Sequence, residues 1–195
     1  MRTALPPLAV VDAHSLRERL AAGDAAAFRE LYQAQAPRLL RLLQRLLGDA
    51  GLAEEILQDT FLAAFESARD FRGEASLATW LARIALRRAL NARRGRARRR
   101  EETKEEGEMR AHTSQTAPAG PEALDLARRL LALMNRLEPR KRQALLLQVE
   151  GYTAAEIAEI EGEPRGTVLA RLSRARAELV ALAAAEGLTP PGEEI

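Results

Sequence analysis

The sequence predicts an all-α protein made of two small helical domains joined by a flexible linker. Aromatic residues make up only 4% of the 195 residues, and Ala, Leu, Arg and Glu dominate, which favours helix over strand. Apolar residues recur at helical spacing in two blocks, and the segment between the blocks lacks this period. We therefore predict domains at residues 1–95 and 122–187, a linker at 96–121 and a tail at 188–195.

The helices of the first block are bounded by glycine, aspartate and proline. Leu16 and Leu20 have helical spacing, and Gly23 with Asp24 ends this helix and caps the next one. Pro37 suits the first turn of a further helix, because proline lacks the N–H that this turn leaves unused. We therefore expect a new helix to begin at about Pro37.

Two longer helices follow in the first block, separated by a loop at residues 71–74. The first is expected to begin near Leu52 and to turn an apolar face inward that includes Phe61 and Phe65. The second is expected to begin near Ser76 and to carry an apolar stripe formed by Leu77, Trp80, Leu81 and Ile84.

Charge is distributed unevenly along the chain. The 30 basic and 28 acidic residues leave a net charge of only +2, which by itself does not indicate a nucleic-acid partner. However, residues 83–100 contain nine arginines and no acid, and residues 101–108 contain five glutamates against one lysine. The small total therefore hides a strongly basic helix of the kind that binds nucleic acid.

Composition also excludes several classes of protein. The absence of cysteine removes disulfide frameworks, thiolate catalysis and cysteine zinc sites. His14 and His112 are the only imidazoles and stand alone, so we expect no metal and no cofactor. No apolar run reaches the roughly 20 residues that span a bilayer, and the start of the chain does not fit a signal peptide. We expect a cytoplasmic protein without a membrane segment.

The second block begins with two predicted helices. One starts at Pro121 and ends near Leu137, and Pro139 suits the start of the next, which Gly151 ends. We expect this second helix to turn four apolar side chains inward, namely Ala144, Leu145, Leu146 and Val149.

A helix-turn-helix pattern follows at residues 153–177. Thr153 and Glu156 have the spacing of a capping box that opens a short helix, and Gly162 with Pro164 turns the chain into a longer one. The outward positions of the longer helix are expected to carry Arg165, Thr167, Arg171, Arg174 and Arg176. Arginine binds phosphates or reads guanine in the major groove, although a plain helical hairpin with solvated arginines would show the same pattern.

The basic helix of the first block forms a second constellation with the loop at residues 71–74. Arg87, Asn91, Arg94 and Arg98 share one helical face. A basic helix beside an aromatic, hydroxyl-rich loop suits single-stranded or distorted DNA, which needs neutralised phosphates and surfaces for unstacked bases. Trp80, at helical spacing, also fits a role in the core.

These two constellations, in this order and on either side of a linker, resemble an extracytoplasmic-function (ECF) type sigma factor of the sigma-70 family of bacterial RNA polymerase. The resemblance to region 2, a helical bundle, spans about residues 28–98 and is carried by the segments AEEILQDTF and FRGEASLATWLARIA. The resemblance to region 4, a helix-turn-helix domain, spans about residues 124–182 and is carried by LEPRKR, EGYTAAEIA and GTVLARLSRAR.

The resemblance implies three sets of functional residues. Glu55, Gln58 and Asp59 would dock the clamp coiled coil of the polymerase core, whose flap would meet region 4. The −10 promoter element, with one base flipped into the loop, would be bound by Arg72, Gly73, Ser76, Thr79, Trp80, Arg83, Arg87, Arg88, Asn91 and Arg94. The −35 element would be bound by Arg165, Thr167, Leu169, Ala170, Arg171, Ser173 and Arg174.

The chain departs from the family pattern at three places. Arg87 stands where many members have asparagine, which favours phosphate contact over base reading. Leu169 and Ala170 replace a basic-polar pair and can contact only a thymine methyl group. Glu161 replaces a commonly apolar residue, so we expect a solvated turn there.

The function that the resemblance implies is promoter recognition and DNA melting for transcription initiation, without enzymatic activity and with an anti-sigma factor as a sequestering partner. From the residues alone, the alternative is a helix-turn-helix repressor or activator that acts without polymerase core. That alternative would need a dimerisation element, and we find no heptad repeat or ligand domain. An enzyme is a third possibility, but Glu54, Glu55 and Asp59 have no histidine, cysteine or phosphate loop beside them.

Overall fold

A computed structural model describes residues 13–103 and 121–188, which belong to two compact units. The first unit lies within residues 1–108 and the second within residues 109–195. All regular structure in the described ranges is helical, which confirms the predicted fold class. Residues 104–120 of the linker predicted at 96–121, the start of the chain and nearly all of the predicted tail lie outside the described residues.

The first unit is a bundle built around three long helices. It contains α1 (Ala13–Ala21), α2 (Ala25–Leu47), α3 (Ala50–Ser67), a 3₁₀ turn (Ala68–Asp70) and α4 (Leu77–Thr103). Helices α2, α3 and α4 pack against one another, and α1 packs on α2 and on the 3₁₀ turn. The core is lined by fully buried leucines and alanines, among them Leu31, Leu39, Leu42, Leu81, Ala53, Ala64, Ala82 and Ala85. The alanines allow the α3 and α4 backbones to approach closely.

Aspartates cap the helices of this unit where the sequence predicts boundaries. The side chain of Asp24 accepts a hydrogen bond from the Ala26 amide at 2.8 Å, and that of Asp49 accepts one from the Leu52 amide at 2.9 Å. Gly48 ends α2 in the left-handed conformation with φ of 67°. The predicted boundaries at Gly23–Asp24 and at the turn before Leu52 are therefore confirmed.

The predicted helix start at Pro37 is wrong, because α2 runs without interruption through this residue. A proline inside a helix removes one backbone hydrogen bond and costs about 3 kcal/mol. Pro37 lies on the exposed side of α2, whereas Leu39, Leu42 and Leu43 on the other side are each 1% exposed. Each buried leucine contributes about 1.5–3 kcal/mol, so the burial of these side chains outweighs the proline.

Helix α4 extends eight residues beyond the predicted domain end at residue 95. Arginine is a good helix former, and the ion pair between Arg96 and Asp49, at 2.6 Å, holds this part of α4 against the start of α3. Residues 96–103 therefore continue a helix of the first unit.

The described part of the second unit, residues 121–188, contains four helices, with α8 as the common packing partner. They are α5 (Pro121–Met134), α6 (Pro139–Val149), α7 (Ala154–Glu161) and α8 (Arg165–Ala185), and the first three all contact α8. The core is formed by Leu133, Leu146, Leu147, Ile157, Val168 and Leu172, each at most 2% exposed.

The helix-turn-helix of the second unit has the predicted local structure. Thr153 and Glu156 form the capping box, in which the Thr153 amide donates to the Glu156 carboxylate at 2.8 Å. Gly162 ends α7 with φ of 69°. The prediction that Val149 points inward is wrong: it is the last residue of α6 and is 61% exposed, whereas Tyr152, in the turn that follows, is 2% exposed.

Among the helices described, none combines the length and apolar character that a membrane crossing requires. Within residues 13–103 and 121–188, no three His, Cys, Asp or Glu side chains come together as a metal site would require.

Candidate nucleic-acid interface

The loop between the 3₁₀ turn and α4 is organised by side chains on both of its flanks. The Phe71 ring stacks on Trp80, with ring centroids 4.7 Å apart. Ser76 caps α4, since its hydroxyl accepts from the Thr79 amide at 3.1 Å and lies 2.8 Å from the Thr79 hydroxyl. Three of the predicted pocket residues differ in exposure. Arg72 and Ser76 are exposed, whereas Thr79 is completely buried and therefore supports the loop through its hydrogen bonds to Ser76.

The same loop is also held from α1, by a contact that the sequence analysis missed. Nη1 of Arg17 donates a hydrogen bond to the Arg72 carbonyl at 2.9 Å. Gly73 adopts φ of 75°, and a Cβ atom there would collide with the Arg17 guanidinium. The positive φ therefore favours glycine at position 73, and a larger residue there would displace the Arg17 guanidinium from its hydrogen bond to the Arg72 carbonyl.

The five predicted −10 residues between positions 83 and 94 of α4 divide into an exposed row of three and a half-buried pair. Arg87, Asn91 and Arg94 are exposed and follow one another at helical spacing, so they form one basic face. Arg83 and Arg88 are half-buried, and Nη1 of Arg88 lies 3.4 Å from the Asp59 carboxylate. The structure thus brings together the predicted DNA-contacting residue Arg88 and the predicted docking residue Asp59.

An exposed stripe runs along α3, with a polar half and an apolar half. Glu55, Gln58, Leu62 and Phe65 lie at helical spacing and are all exposed, with Leu62 at 59% and Phe65 at 54%. Phe65 was expected to point inward; instead it packs on Phe28 at the surface, with ring centroids 4.6 Å apart. The sequence analysis missed the apolar half of this stripe, which the position of Leu62 seven residues after Glu55 could have revealed.

Helix α8 places six of the seven predicted −35 residues on its solvent side. Val168, Leu172 and Ala175 form its buried face. The exposed residues are Arg165, Thr167, Leu169, Ala170, Ser173 and Arg174. Leu169 is 48% exposed, so this side of α8 presents an apolar side chain among polar ones.

Arg171 is the exception, and its predicted outward position is wrong. Its side chain is only 11% exposed and forms ion pairs with Glu161, the last residue of α7, and with Glu163 of the turn that precedes α8. Glu161 is 3% exposed, so the expectation of a solvated turn is also wrong. A guanidinium offers donors in a planar fork that can serve two carboxylates at once, and this pairing draws all three side chains inward.

Two residues of α6 complete this cluster. Nε2 of Gln143 donates to Glu161 at 2.7 Å, and Arg140 forms an ion pair with Glu163. Burial raises the pKa of Glu161 above its ordinary value, although the hydrogen bond from Gln143 and the charge of Arg171 oppose that shift. The cluster therefore ties the turn to both α6 and α8.

Each of the two units matches a different known protein family model. Residues 31–99 match the family model of sigma-70 region 2, and residues 127–179 match that of sigma-70 region 4. The RNA polymerase sigma factor CarQ of Myxococcus xanthus is 32% identical over 160 residues, which cover 80% of this chain and 89% of CarQ. The ECF RNA polymerase sigma-E factor of Haemophilus influenzae is 32% identical over 171 residues, which cover 83% of this chain and 90% of that protein.

A solved structure shows the same fold. It is that of the sigma factor RpoE in complex with the anti-sigma factor NepR from Bartonella quintana. RpoE aligns with a TM-score of 0.69 and 26% sequence identity, over 80% of this chain and 96% of its own.

The fold and the two basic helices define a helical, two-unit DNA-binding protein. The family models and the relatives make the assignment specific: the chain belongs to the ECF sigma factors of the sigma-70 family. These are transcription initiation factors that associate with RNA polymerase and bind DNA through region 4. The assignment confirms the predicted resemblance and favours it over the predicted alternative, a repressor or activator that acts without polymerase.

Proposed function

We propose that this protein directs RNA polymerase to a class of promoters, by docking on the core enzyme, binding the −35 element as duplex and capturing the melted −10 element. One observation carries the proposal. Each of the two units turns the arginine-bearing face of one helix to solvent, α4 in the first and α8 in the second. Binding energy drives local melting in this scheme, so the protein itself performs no covalent chemistry.

The exposed stripe of α3 is the proposed docking site for the clamp coiled coil. Its polar half, Glu55 and Gln58, suits a basic partner helix. Its apolar half, Leu62 and Phe65, offers the apolar centre that helix-to-helix interfaces need. Asp59 lies beside this stripe, and the flap of the polymerase would meet the second unit.

The loop at residues 71–76 and the exposed row of α4 are the proposed −10 site. Extruding a base from the stack costs a few kcal/mol, which the pocket must return through stacking and hydrogen bonds. Arg72 and Ser76 offer exposed donors, and the stacked Phe71–Trp80 pair gives the loop a rigid base. Arg87, Asn91 and Arg94 would follow the strand backbone as phosphate contacts. Arg83 and Arg88, half-buried, would contribute beside them.

Helix α8 is the proposed −35 reader, lying in the major groove as the second helix of a helix-turn-helix. Leu169 and Ala170 have no hydrogen-bonding groups in their side chains, so their contact would be with the 5-methyl group of thymine. Arg165 and Arg174 would bind phosphate or guanine beside them.

Replacing a contacted thymine with deoxyuridine removes only that methyl group. We expect this replacement to weaken −35 binding by a few-fold, because one apolar contact is lost.

We also propose that an anti-sigma factor holds the free protein inactive in the cytoplasm, where its polymerase partner resides. The support is the RpoE structure, which contains the anti-sigma factor NepR, together with the matching fold of this chain.

The experiment that tests the proposed function measures DNA binding with and without core polymerase. Fluorescence anisotropy of labelled promoter DNA should show tight, specific binding by the reconstituted holoenzyme and weak binding by the chain alone. Tight specific binding by the chain alone at physiological salt would instead support a conventional repressor or activator. Failure to bind core polymerase would overturn the proposal.

A further inference from the structure

One arginine of α8 is set apart from the others by burial. Arg165, Arg174 and Arg176 are exposed, whereas the side chain of Arg171 is 11% exposed. An arginine that contacts a phosphate of the DNA backbone must present its guanidinium at the protein surface, because the DNA lies outside the protein. Arg171 presents its guanidinium to the interior instead.

The turn before α8 is built to hold this guanidinium. Glu161 and Glu163 lie on either side of Gly162, whose left-handed conformation, with φ of 69°, reverses the chain between them. Nη1 of Arg171 pairs with Glu161 and Nη2 pairs with Glu163. Arginine can serve two carboxylates in this way, whereas lysine offers one compact charge.

The held guanidinium connects three elements of the second unit. Glu161 is bonded to Gln143, and Glu163 is paired with Arg140, both on α6. Arg171 belongs to α8, Glu161 is the last residue of α7, and Glu163 lies in the turn between these two helices. The cluster therefore fixes α8 relative to α6 and to the end of α7 at the level of the second helical turn of α8.

We propose that Arg171 is a positioning residue, which sets the placement of α8 from inside the domain, and that Glu161 and Glu163 hold it there while the exposed side chains of α8 contact the −35 DNA. The inference rests on the proposed function. Moving Arg171 out to a phosphate would leave Glu161, which is 3% exposed, without its cation, and an unpaired buried charge is strongly unfavourable.

The effect of Glu161→Gln on DNA affinity distinguishes a positioning role of Arg171 from a DNA-contacting role, because the two roles predict changes of opposite sign. Glu161→Gln removes the charge that holds Arg171 and leaves Arg171 in place. If Arg171 positions α8, affinity of the holoenzyme for a −35-containing promoter fragment should fall by about tenfold. If Arg171 contacts DNA and Glu161 competes for it, affinity should rise.

Glu159→Gln is the matched control, because Glu159 is an exposed carboxylate two residues before Glu161 on the same helix, α7. It removes the same charge without touching the cluster and corrects for the general gain in affinity that follows from losing a negative charge near DNA. Affinity of Glu161→Gln equal to or above that of Glu159→Gln would overturn the inference.

The salt dependence of binding gives a second, independent readout. Each lost phosphate contact reduces the slope of log K against log salt by about 0.9. Arg171→Lys should lower affinity with an unchanged slope, because lysine cannot bridge both carboxylates, whereas Arg174→Ala, the exposed comparison, should reduce the slope if Arg174 binds phosphate. Near wild-type affinity for Arg171→Lys would overturn the inference, since a phosphate contact tolerates lysine.

Promoter binding by the wild-type holoenzyme shows whether a negative result affects this inference alone or the proposed function as well. If it fails to bind any promoter, the proposed function fails and the inference fails with it. If it binds, the two variant comparisons decide the role of Arg171 alone. Thermal unfolding followed by circular dichroism confirms that each variant compared is folded.

Discussion

The helices α4 and α8 both carry arginines, but the protein holds them in different ways. Helix α4 is held at its flank by two half-exposed ion pairs, Arg88 with Asp59 and Arg96 with Asp49, and leaves a row of basic side chains in solvent. Helix α8 is held by an internal cluster in which one of its arginines is enclosed between two carboxylates.

The difference shows that the role of an arginine depends on where its acidic partners lie. Ion pairs in water contribute about 0–1 kcal/mol, because solvent screens the charges and long side chains lose freedom. Inside a protein, loss of one partner leaves the other charge without water or counter-charge. We therefore expect single substitutions of the α4 arginines to cost little stability, whereas Arg171 is part of the fold.

The largest expected effect comes from Arg171→Ala, which removes the cation paired with Glu161 and leaves that buried carboxylate with only its hydrogen bond from Gln143. We expect the free energy of unfolding of the second unit to fall by about 3–5 kcal/mol, the usual result of breaking a buried pair. Urea unfolding of the full chain, followed by circular dichroism, measures it. Fluorescence of Trp80, the single tryptophan, reports the first unit and should not change.

Arg174→Ala is the control for this prediction, because it removes an exposed arginine from the same helix. Its effect on unfolding should stay within about 0.5 kcal/mol. If Arg171→Ala and Arg174→Ala lowered the free energy of unfolding by the same amount, the enclosed arginine would not differ from the exposed one in its contribution to stability.

Gly73→Ala should produce the next largest effect, in the first unit. A non-glycine residue at φ of 75° costs about 1–2 kcal/mol, and the new Cβ collides with Arg17. We expect weaker melting of the −10 element, measured by the fluorescence of a 2-aminopurine base placed in that element. Gly95→Ala is the control, because Gly95 is a helical glycine of α4 where a new Cβ would meet only the Arg99 guanidinium at ordinary contact distance, and it should leave melting unchanged.

The pH dependence of stability should have opposite signs in the two units. The Arg96 guanidinium holds the pKa of Asp49 below its ordinary value, so this group stabilises the first unit above its unfolded pKa and loses that contribution as pH falls through the folded pKa. Burial raises the pKa of Glu161, so its contribution to the second unit is present at low pH and is lost as pH rises through the folded pKa.

Two isosteric substitutions test whether Asp49 and Glu161 contribute to the pH dependence of stability with opposite signs. Asp49→Asn should reduce the acid sensitivity of the Trp80 fluorescence transition, and Glu161→Gln should flatten the pH dependence of the second unit between the unfolded and the folded pKa. A shift of the same sign for both variants, measured by urea unfolding across pH, would contradict the assignment.

The smallest effect is expected for Arg88→Ala, which breaks the half-exposed pair with Asp59. We expect a change of less than about 1 kcal/mol in the stability of the first unit, so that any loss of promoter binding reflects DNA contact. A loss of several kcal/mol would show that α4 is held as rigidly as α8.

Local chemistry made much of the fold predictable. The capping box of Thr153 and Glu156, the turn at Gly162 and the cap at Asp24 each depend on residues within a few positions of one another. Their hydrogen bonds follow from residue type and spacing alone. The same holds for the basic face of α4, where helical period aligns the side chains.

Contacts between distant residues were not predictable in this way. Pro37 stays inside α2 because of tertiary burial, and Arg17 reaches a loop 55 residues away. The enclosure of Arg171 depends on how the turn aims Glu161 and Glu163, which spacing does not specify. The prediction therefore placed six α8 residues on the solvent side where the structure has them and misplaced the seventh.

Run-off transcription with purified core polymerase, followed by mapping of the start sites, tests the central claim most directly. We expect transcripts from defined start sites that share −35 and −10 elements, and only when this chain and core polymerase are both present. Start sites unchanged by adding the chain, or repression of transcripts that core polymerase makes with another sigma factor, would contradict the account.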